Sequence, residues 1–297
     1  MKQFRVLVLV VAVVSFGAVP AFSWEHTEDW EVFGSFVYTF TEDDPNNDNR
    51  ITFNKSWLIS RTELDENTEA VVFLALQGQE MLVHDFRVER CLSWIGFDRV
   101  VIGRFIPPFG REWADVRYDR LPTVFYSSLT DSLVARDIGA RVDMSYGWVR
   151  LNLGLFASDQ RHGSFYKERH DSKLHTYQRW RLELPYGFTL GTSYRYARTR
   201  NDLWAAEVSW SKPDMPTSEF AVEAVRFDRK TQWYFLFSQE MSEYVWAVVR
   251  YEDLVSGNRI TPGIKVVLDH FDLKVNAVLP GDSAEPNVFL SQLVVRY

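Results

Sequence analysis

Arg111, Arg117 and Arg120 recur at intervals of six and three in a polar stretch that also holds Glu112, Asp115 and Asp119. The chemistry open to such a set is electrostatic. A guanidinium fork takes carboxylate or phosphate oxygens in pairs. Carboxylates facing it across water create a field that favours ionic or dipolar solutes over apolar ones. The stretch runs from Ile106 to Ala135 and opens on Pro107-Pro108-Phe109-Gly110. Two prolines remove two backbone donors, so the chain leaves any strand ladder there. Gly110 permits a sharp turn. Arg104 stands before the turn, and Arg141 and Arg150 follow the stretch.

The elements that must position these groups are strands. Period-two alternation covers most of the chain, and sustained helical periodicity is scarce. The candidates are 30–41, 53–64, 68–79, 86–97, 99–105, 136–146, 148–158, 174–184, 188–198, 203–211, 218–228, 231–239, 244–252, 259–269, 271–279 and 288–297. That is sixteen, with twelve or fourteen remaining if a strand has been split. In 271–279, Phe271, Leu273, Val275, Ala277 and Leu279 oppose Asp272, Lys274 and Asn276. One apolar and one polar face also suits a soluble sandwich. Three features favour a transmembrane antiparallel β-barrel: strands near ten residues, an even count, and tight turns alternating with longer connections. The long connections are 42–52, 106–135, 159–173 and 280–287.

The ends agree. Residues 1–23 hold Lys2 and Arg5, an apolar run from Val6 to Val19, and Ala21-Phe22-Ser23. This is the pattern of a cleaved export signal, and the run is too short to span a bilayer as a helix. Removing it moves the net charge from −7 to −9, which argues against nucleic acid as a partner. Cys91 is the only cysteine, so no internal disulfide forms. The last strand keeps Phe289, Ser291, Leu293, Val295 and Tyr297 on one face. A terminal strand closing on an aromatic residue resembles the insertion signal of bacterial outer-membrane barrels. The expected organisation is a signal peptide at 1–23 and a barrel at 24–297, in the bacterial outer membrane.

Within a barrel, the 106–135 segment is expected to fold inward and narrow the channel. The plain alternative is a solvated surface loop held by its own ion pairs. On the inward reading, Arg104, Arg111, Glu112, Asp115, Arg117, Asp119, Arg120, Arg141 and Arg150 line the path.

GRFIPPFGREW at 103–113, RDIGARV at 136–142 and LNLGLFASD at 151–159 resemble the phosphate-selective porin O and P family. The matching positions are Gly103, Phe105, Pro108, Phe109, Gly110, Glu112, Arg136, Asp137, Gly139, Gly154 and Phe156. The likeness covers about 60 residues. It implies a 16-stranded barrel assembled as a homotrimer. Phosphate-binding members are expected to line the channel with a dense basic set. Here the polar face carries Arg87, Arg104, Arg141, Arg150, Arg179, Arg181, Arg195 and Arg250, but also Glu89, Asp137, Asp143, Glu183, Glu207, Glu223 and Glu252. Paired carboxylates weaken an anion field. The expected function is therefore passive diffusion of small polar or anionic solutes with modest selectivity, rather than tight phosphate binding.

Other chemistry is thinly represented. His162, His170 and His175 are spaced by eight and five, which matches no metal-ligand motif. No GxSxG elbow accompanies a histidine, so no enzymatic activity is expected. No Cys-x-x-Cys-His occurs, and no cofactor is expected. The rival from another class is a scaffold barrel that sheathes a partner such as a multihaem cytochrome.

Overall fold

The computed structural model describes residues 28–41, 50–77, 80–116, 121–124, 127, 136–157, 174–197, 202–211, 218–227, 229–269, 271–282 and 285–296. The export-signal segment, Tyr297, and Arg117, Asp119 and Arg120 lie outside them.

The strands are β1 Glu28–Thr41, β2 Arg50–Asp65, β3 Thr68–Gln77, β4 Glu80–Cys91, β5 Phe97–Phe105, β6 Asp137–Tyr146, β7 Val149–Ala157 and β8 Leu174–Glu183. They continue with β9 Phe188–Ala197, β10 Leu203–Ser211, β11 Ser218–Phe227, β12 Lys230–Ser242, β13 Val245–Leu254, β14 Gly257–Val267, β15 Phe271–Pro280 and β16 Val288–Arg296. Each pairs antiparallel with its sequence neighbours, and β1 pairs with β16 from Phe33↔Arg296 to Thr41↔Val288. The sheet is a closed barrel, so no strand edge is left unpaired. This is the expected fold class and strand number.

Most boundaries shift by one to three residues from the sequence reading, and the two largest differences are on β4. β4 begins at Glu80 and ends at Cys91, and the turn to β5 occupies 92–96 rather than Asp98. The Phe97 amide donates to the Trp94 carbonyl at 3.0 Å and closes that turn. A register shift between Phe73 and Leu74 inserts His84 as an extra residue in β4. It breaks the alternation that would have exposed the strand's beginning.

Alternation sorts the residues into two environments. Phe86, Ile102, Leu155, Leu190, Val275 and Leu293 are exposed on the outside. Asp85, Glu89, Asp143, Arg179, Glu207, Glu223, Arg250 and Glu252 are buried on the inside. This is a soluble domain turned inside out. Aromatic pairs mark the outer face near both ends. At the turn end, Phe188, Trp210 and Phe220 lie within 6.0–6.3 Å of one another. At the loop end, Tyr194 meets Trp204 at 4.2 Å and Trp233 meets Tyr251 at 5.2 Å.

Candidate functional site: a loop held inside the barrel

The segment between β5 and β6 is built to turn inward. Phe105 and Phe156 meet edge-on at 5.1 Å, and Phe156 meets Tyr177 at 5.2 Å, all on the inner face. The Phe156 ring lies where a Cβ on Gly139 or Gly154 would strike it. The glycine–aromatic positions of the sequence motif therefore form a packed inner corner beside the loop's departure point. Phe109 joins the same buried cluster.

Gly110 then takes φ +67, and a Cβ there would collide with the Glu223 carboxylate. Its amide donates to Ser193 Oγ at 3.1 Å. The Arg111 and Glu112 amides donate to Glu223 Oε2 at 3.2 and 3.3 Å, and the Tyr234 hydroxyl donates to the same oxygen at 3.0 Å. A single helical turn, α1 Glu112–Asp115, follows. A wall carboxylate from β11 thus satisfies amides that a helix start leaves unpaired.

Each described charged group of the loop finds a wall partner. Arg111 pairs with Glu219. Glu112 is buried, accepting from Arg250 Nη1 at 3.4 Å and from the Ser127 amide at 2.8 Å. Asp115 accepts two bonds from Arg179, at 2.7 and 2.6 Å, and one from Arg181 at 3.3 Å. Arg179 also donates to Glu207 at 2.6 Å. Burial pushes the Asp115 carboxyl up, but Arg179, Arg181 and Arg111 outweigh it and hold it below the usual carboxylate range. Further along, the Val124 amide donates to Asn276 Oδ1 at 2.8 Å. Leu121 packs among Trp57, Ile59, Val71 and Ala75, and Val124 among Val37 and Leu290.

These contacts fix the height of the loop. Arg179, Glu223, Arg250 and Asn276 each occupy the sixth position of a ten-residue strand. The described parts of the loop therefore lie inside the barrel near its middle. Its anchors run round the wall from β8 through β16 to β3.

The sector from β4 to β6 carries a lattice of alternating charge. Arg136 donates to Asp85 at 2.6 Å, and Arg87 bonds Asp85 at 2.5 Å and Glu89 at 2.6 Å. Arg99 bonds Glu89 at 2.7 Å and Asp143 at 2.8 Å, and Arg141 donates to Asp143 at 2.9 Å. Arg141 also sits over the Phe105 ring at 5.4 Å. The carboxylates lie behind the cations: Glu89 and Asp143 keep 10% and 8% of their side chains accessible, while Arg99 keeps 43% and Arg87 and Arg141 18% each.

The sequence-predicted residues are distributed as follows. Arg111, Glu112 and Asp115 anchor the loop to the wall, Arg141 belongs to the lattice, and Arg150 pairs with Glu183 at 3.2 Å on the inner face. Arg104 is a correction. It stands opposite Phe86 and Ile138, both exposed on the outer face, while Val101 and Phe105 point inward. An arginine one position from an inward residue points outward, because the side-chain period is two. Arg99, Arg136 and Asp85 were missed as site residues. The signal for Arg99 was its parity with Val101 and Phe105.

Among the described residues, no group of three or more His, Cys, Asp or Glu is placed to hold a metal. No protein-family model matches the chain, and no curated protein matches it in sequence. Solved structures do share its fold. OmpF of Salmonella typhi, in complex with daunomycin, superposes with a TM-score of 0.67 at 8% identity, covering 92% of this chain and 98% of its own. A mutant porin of Rh. blastica gives 0.64 at 14% identity over 91% and 100%. A loop-deletion mutant of OmpT, an outer membrane protein of Vibrio cholerae, gives 0.62 at 9% over 92% and 99%. At these identities the likeness is one of fold: this chain has the porin barrel fold.

Proposed function

We propose that the chain is a bacterial outer-membrane diffusion channel for small polar or anionic solutes, narrowed by its own 106–135 loop. The observation that carries this is the loop held at mid-barrel opposite a wall whose arginines stand forward of their carboxylates. An apolar outer face with aromatic residues near both ends suits a lipid environment. Phe188 and Tyr196 bracket that band on β9. Eight residue steps at about 3.3 Å and a tilt near 40° give roughly 20 Å, close to the ~25 Å band of membrane barrels. The porin and outer membrane protein of like fold point the same way. An export signal at 1–23 and a homotrimeric assembly fit this reading. It assigns no enzymatic activity and no cofactor.

Arg87, Arg99 and Arg141 form the anion-facing wall, and partly accessible carboxylates beyond it include Asp115, Glu183 and Glu219. Because Asp85, Glu89 and Asp143 back the arginines, the local field is weak, and tight phosphate binding is not the role we assign. The sheath around a haem protein is the weaker reading, since the described parts of the loop already lie inside the lumen. The test is planar-bilayer conductance with reversal potential in a salt gradient. Wild type is expected to favour anions modestly, and Arg87→Ala/Arg99→Ala/Arg141→Ala to shift the reversal potential toward cations. An unchanged potential would overturn the assignment of this wall.

A further inference from the structure

Arg150 and Arg181 stand directly opposite each other across the β7–β8 ladder, and both lie on the inner face. Like charges at opposed positions destabilise a sheet, so the pair calls for a reason. It sits at the turn end: Arg150 is the second residue of β7 and Arg181 the eighth of β8. The residue across from Arg150 on β6 is Ser145, and the residue across from Arg181 on β9 is Gly191. Both are small and leave the forks uncovered from the sides. Arg150 keeps 38% of its side chain accessible and Arg181 25%.

Each fork is thinly used. A guanidinium offers five N–H donors. Arg150 gives one bond, from Nε to Glu183 at 3.2 Å, and Arg181 gives one, from Nη1 to Asp115 at 3.3 Å. Arg181 Nε is buried with no partner among the described residues. Charge-assisted bonds of this kind close to about 2.7–2.9 Å, as Arg99 does on Glu89 and Asp143. Asp115 is held at 2.7 and 2.6 Å by Arg179, so Arg181 is its longest contact.

We infer that Arg150 and Arg181 form a subsite for a short dicarboxylate solute, one carboxylate on each fork. The inference deepens the channel reading above and rests on it. Each fork now meets one carboxylate at long range, Glu183 for Arg150 and Asp115 for Arg181. A solute with two carboxylates replaces both contacts with shorter ones, and its charge offsets the repulsion between the arginines. A monocarboxylate fills one fork only. A compact phosphate needs both forks on one group, whereas Glu183 on β8 and Asp115 on the loop draw them toward different elements. The subsite lies beside the Arg87–Arg99–Arg141 wall, on the next two strands.

The test is block of chloride current through the purified full-length barrel in a planar bilayer, with succinate, butyrate or inorganic phosphate on both sides at neutral pH. Succinate is expected to halve the current at about one tenth of the butyrate concentration, the worth of one further charge-assisted group. Phosphate is expected to follow butyrate. Arg150→Gln/Arg181→Gln should bring succinate to the butyrate value, while Arg90→Gln, an exposed arginine on the outer face of β4, keeps the difference. Glu183→Gln removes the resident competitor on Arg150 and should lower the succinate concentration about threefold. Equal half-block by succinate and butyrate, equal half-block by succinate and phosphate, an undiminished difference in the double variant, or weaker block in Glu183→Gln would each overturn the subsite. A barrel that conducts chloride without preferring succinate overturns this inference alone. A chain that forms no conducting pore overturns the channel reading with it.

Discussion

Among the described residues of the loop, Asp115 carries the most heavily bonded charge, and its behaviour with pH follows from its partners. Its folded value lies below the ordinary carboxylate value because the arginine contacts outweigh burial. Its contribution is therefore fully present above the unfolded value, about 3.9. It is lost as pH falls through the lower, folded value. We expect channel conductance to be steady from pH 7 to about pH 5, and to become noisy or larger on acidification below the unfolded value as Arg179 is released. Asp115→Asn should show that behaviour already at pH 7, read by single-channel recording. A flat response would mean that the remaining anchors, among them Glu223, Arg250, Asn276, Leu121 and Val124, hold the loop without Asp115. Arg104 supplies the opposite case. It faces outward, so Arg104→Ala should leave reversal potential unchanged, whereas Arg141→Ala shifts it. Equal shifts would return Arg104 to the lumen.

At the level of the element, Glu223 makes the most contacts of any described wall side chain to the start of the loop, beside Ser193 and Glu219. Glu223 accepts the Arg111 and Glu112 amides and the Tyr234 hydroxyl on one oxygen. Glu223→Ala removes these three hydrogen bonds, at about 1 kcal/mol each, and leaves the donors buried. We expect a loss of about 2–3 kcal/mol, seen as a lower thermal midpoint of the barrel. Single-channel conductance should also fluctuate more as α1 leaves the wall. Unchanged conductance with lowered stability would show that Glu223 supports the barrel and not the loop. Arg179, bonded to both Asp115 and Glu207, explains why a partner lost here is costly: the remaining charge stays buried.

For the whole molecule, closure of β16 on β1 is the step that removes both sheet edges at once. The outer residues of β16 are Phe289, Ser291, Leu293 and Val295, and the inner ones Leu290, Gln292 and Val294. Placing arginine at Phe289, Leu293 and Val295 puts charge against lipid, at about 2–4 kcal/mol each near the bilayer centre. The triple variant is expected to fail in assembly, measured as loss of folded barrel in membrane fractions. Normal assembly would place the opposite face of β16 against lipid.

The sequence by itself determined the fold class, the strand number and, for most strands, which face is apolar. These follow from a two-residue period, which is local and survives without knowledge of neighbours. It also marked the loop, because Pro107, Pro108 and Gly110 break a ladder wherever they stand. Tertiary structure alone decided the rest. The side on which Arg104 falls depends on the register of β5 against β4 and β6, and the boundaries of β4 were blurred by the extra His84. The partners of Arg111, Glu112 and Asp115 lie 108, 138 and 64 residues away. No spacing within the loop encodes them, because they meet only when the sheet closes and brings β8, β11 and β13 around the same lumen.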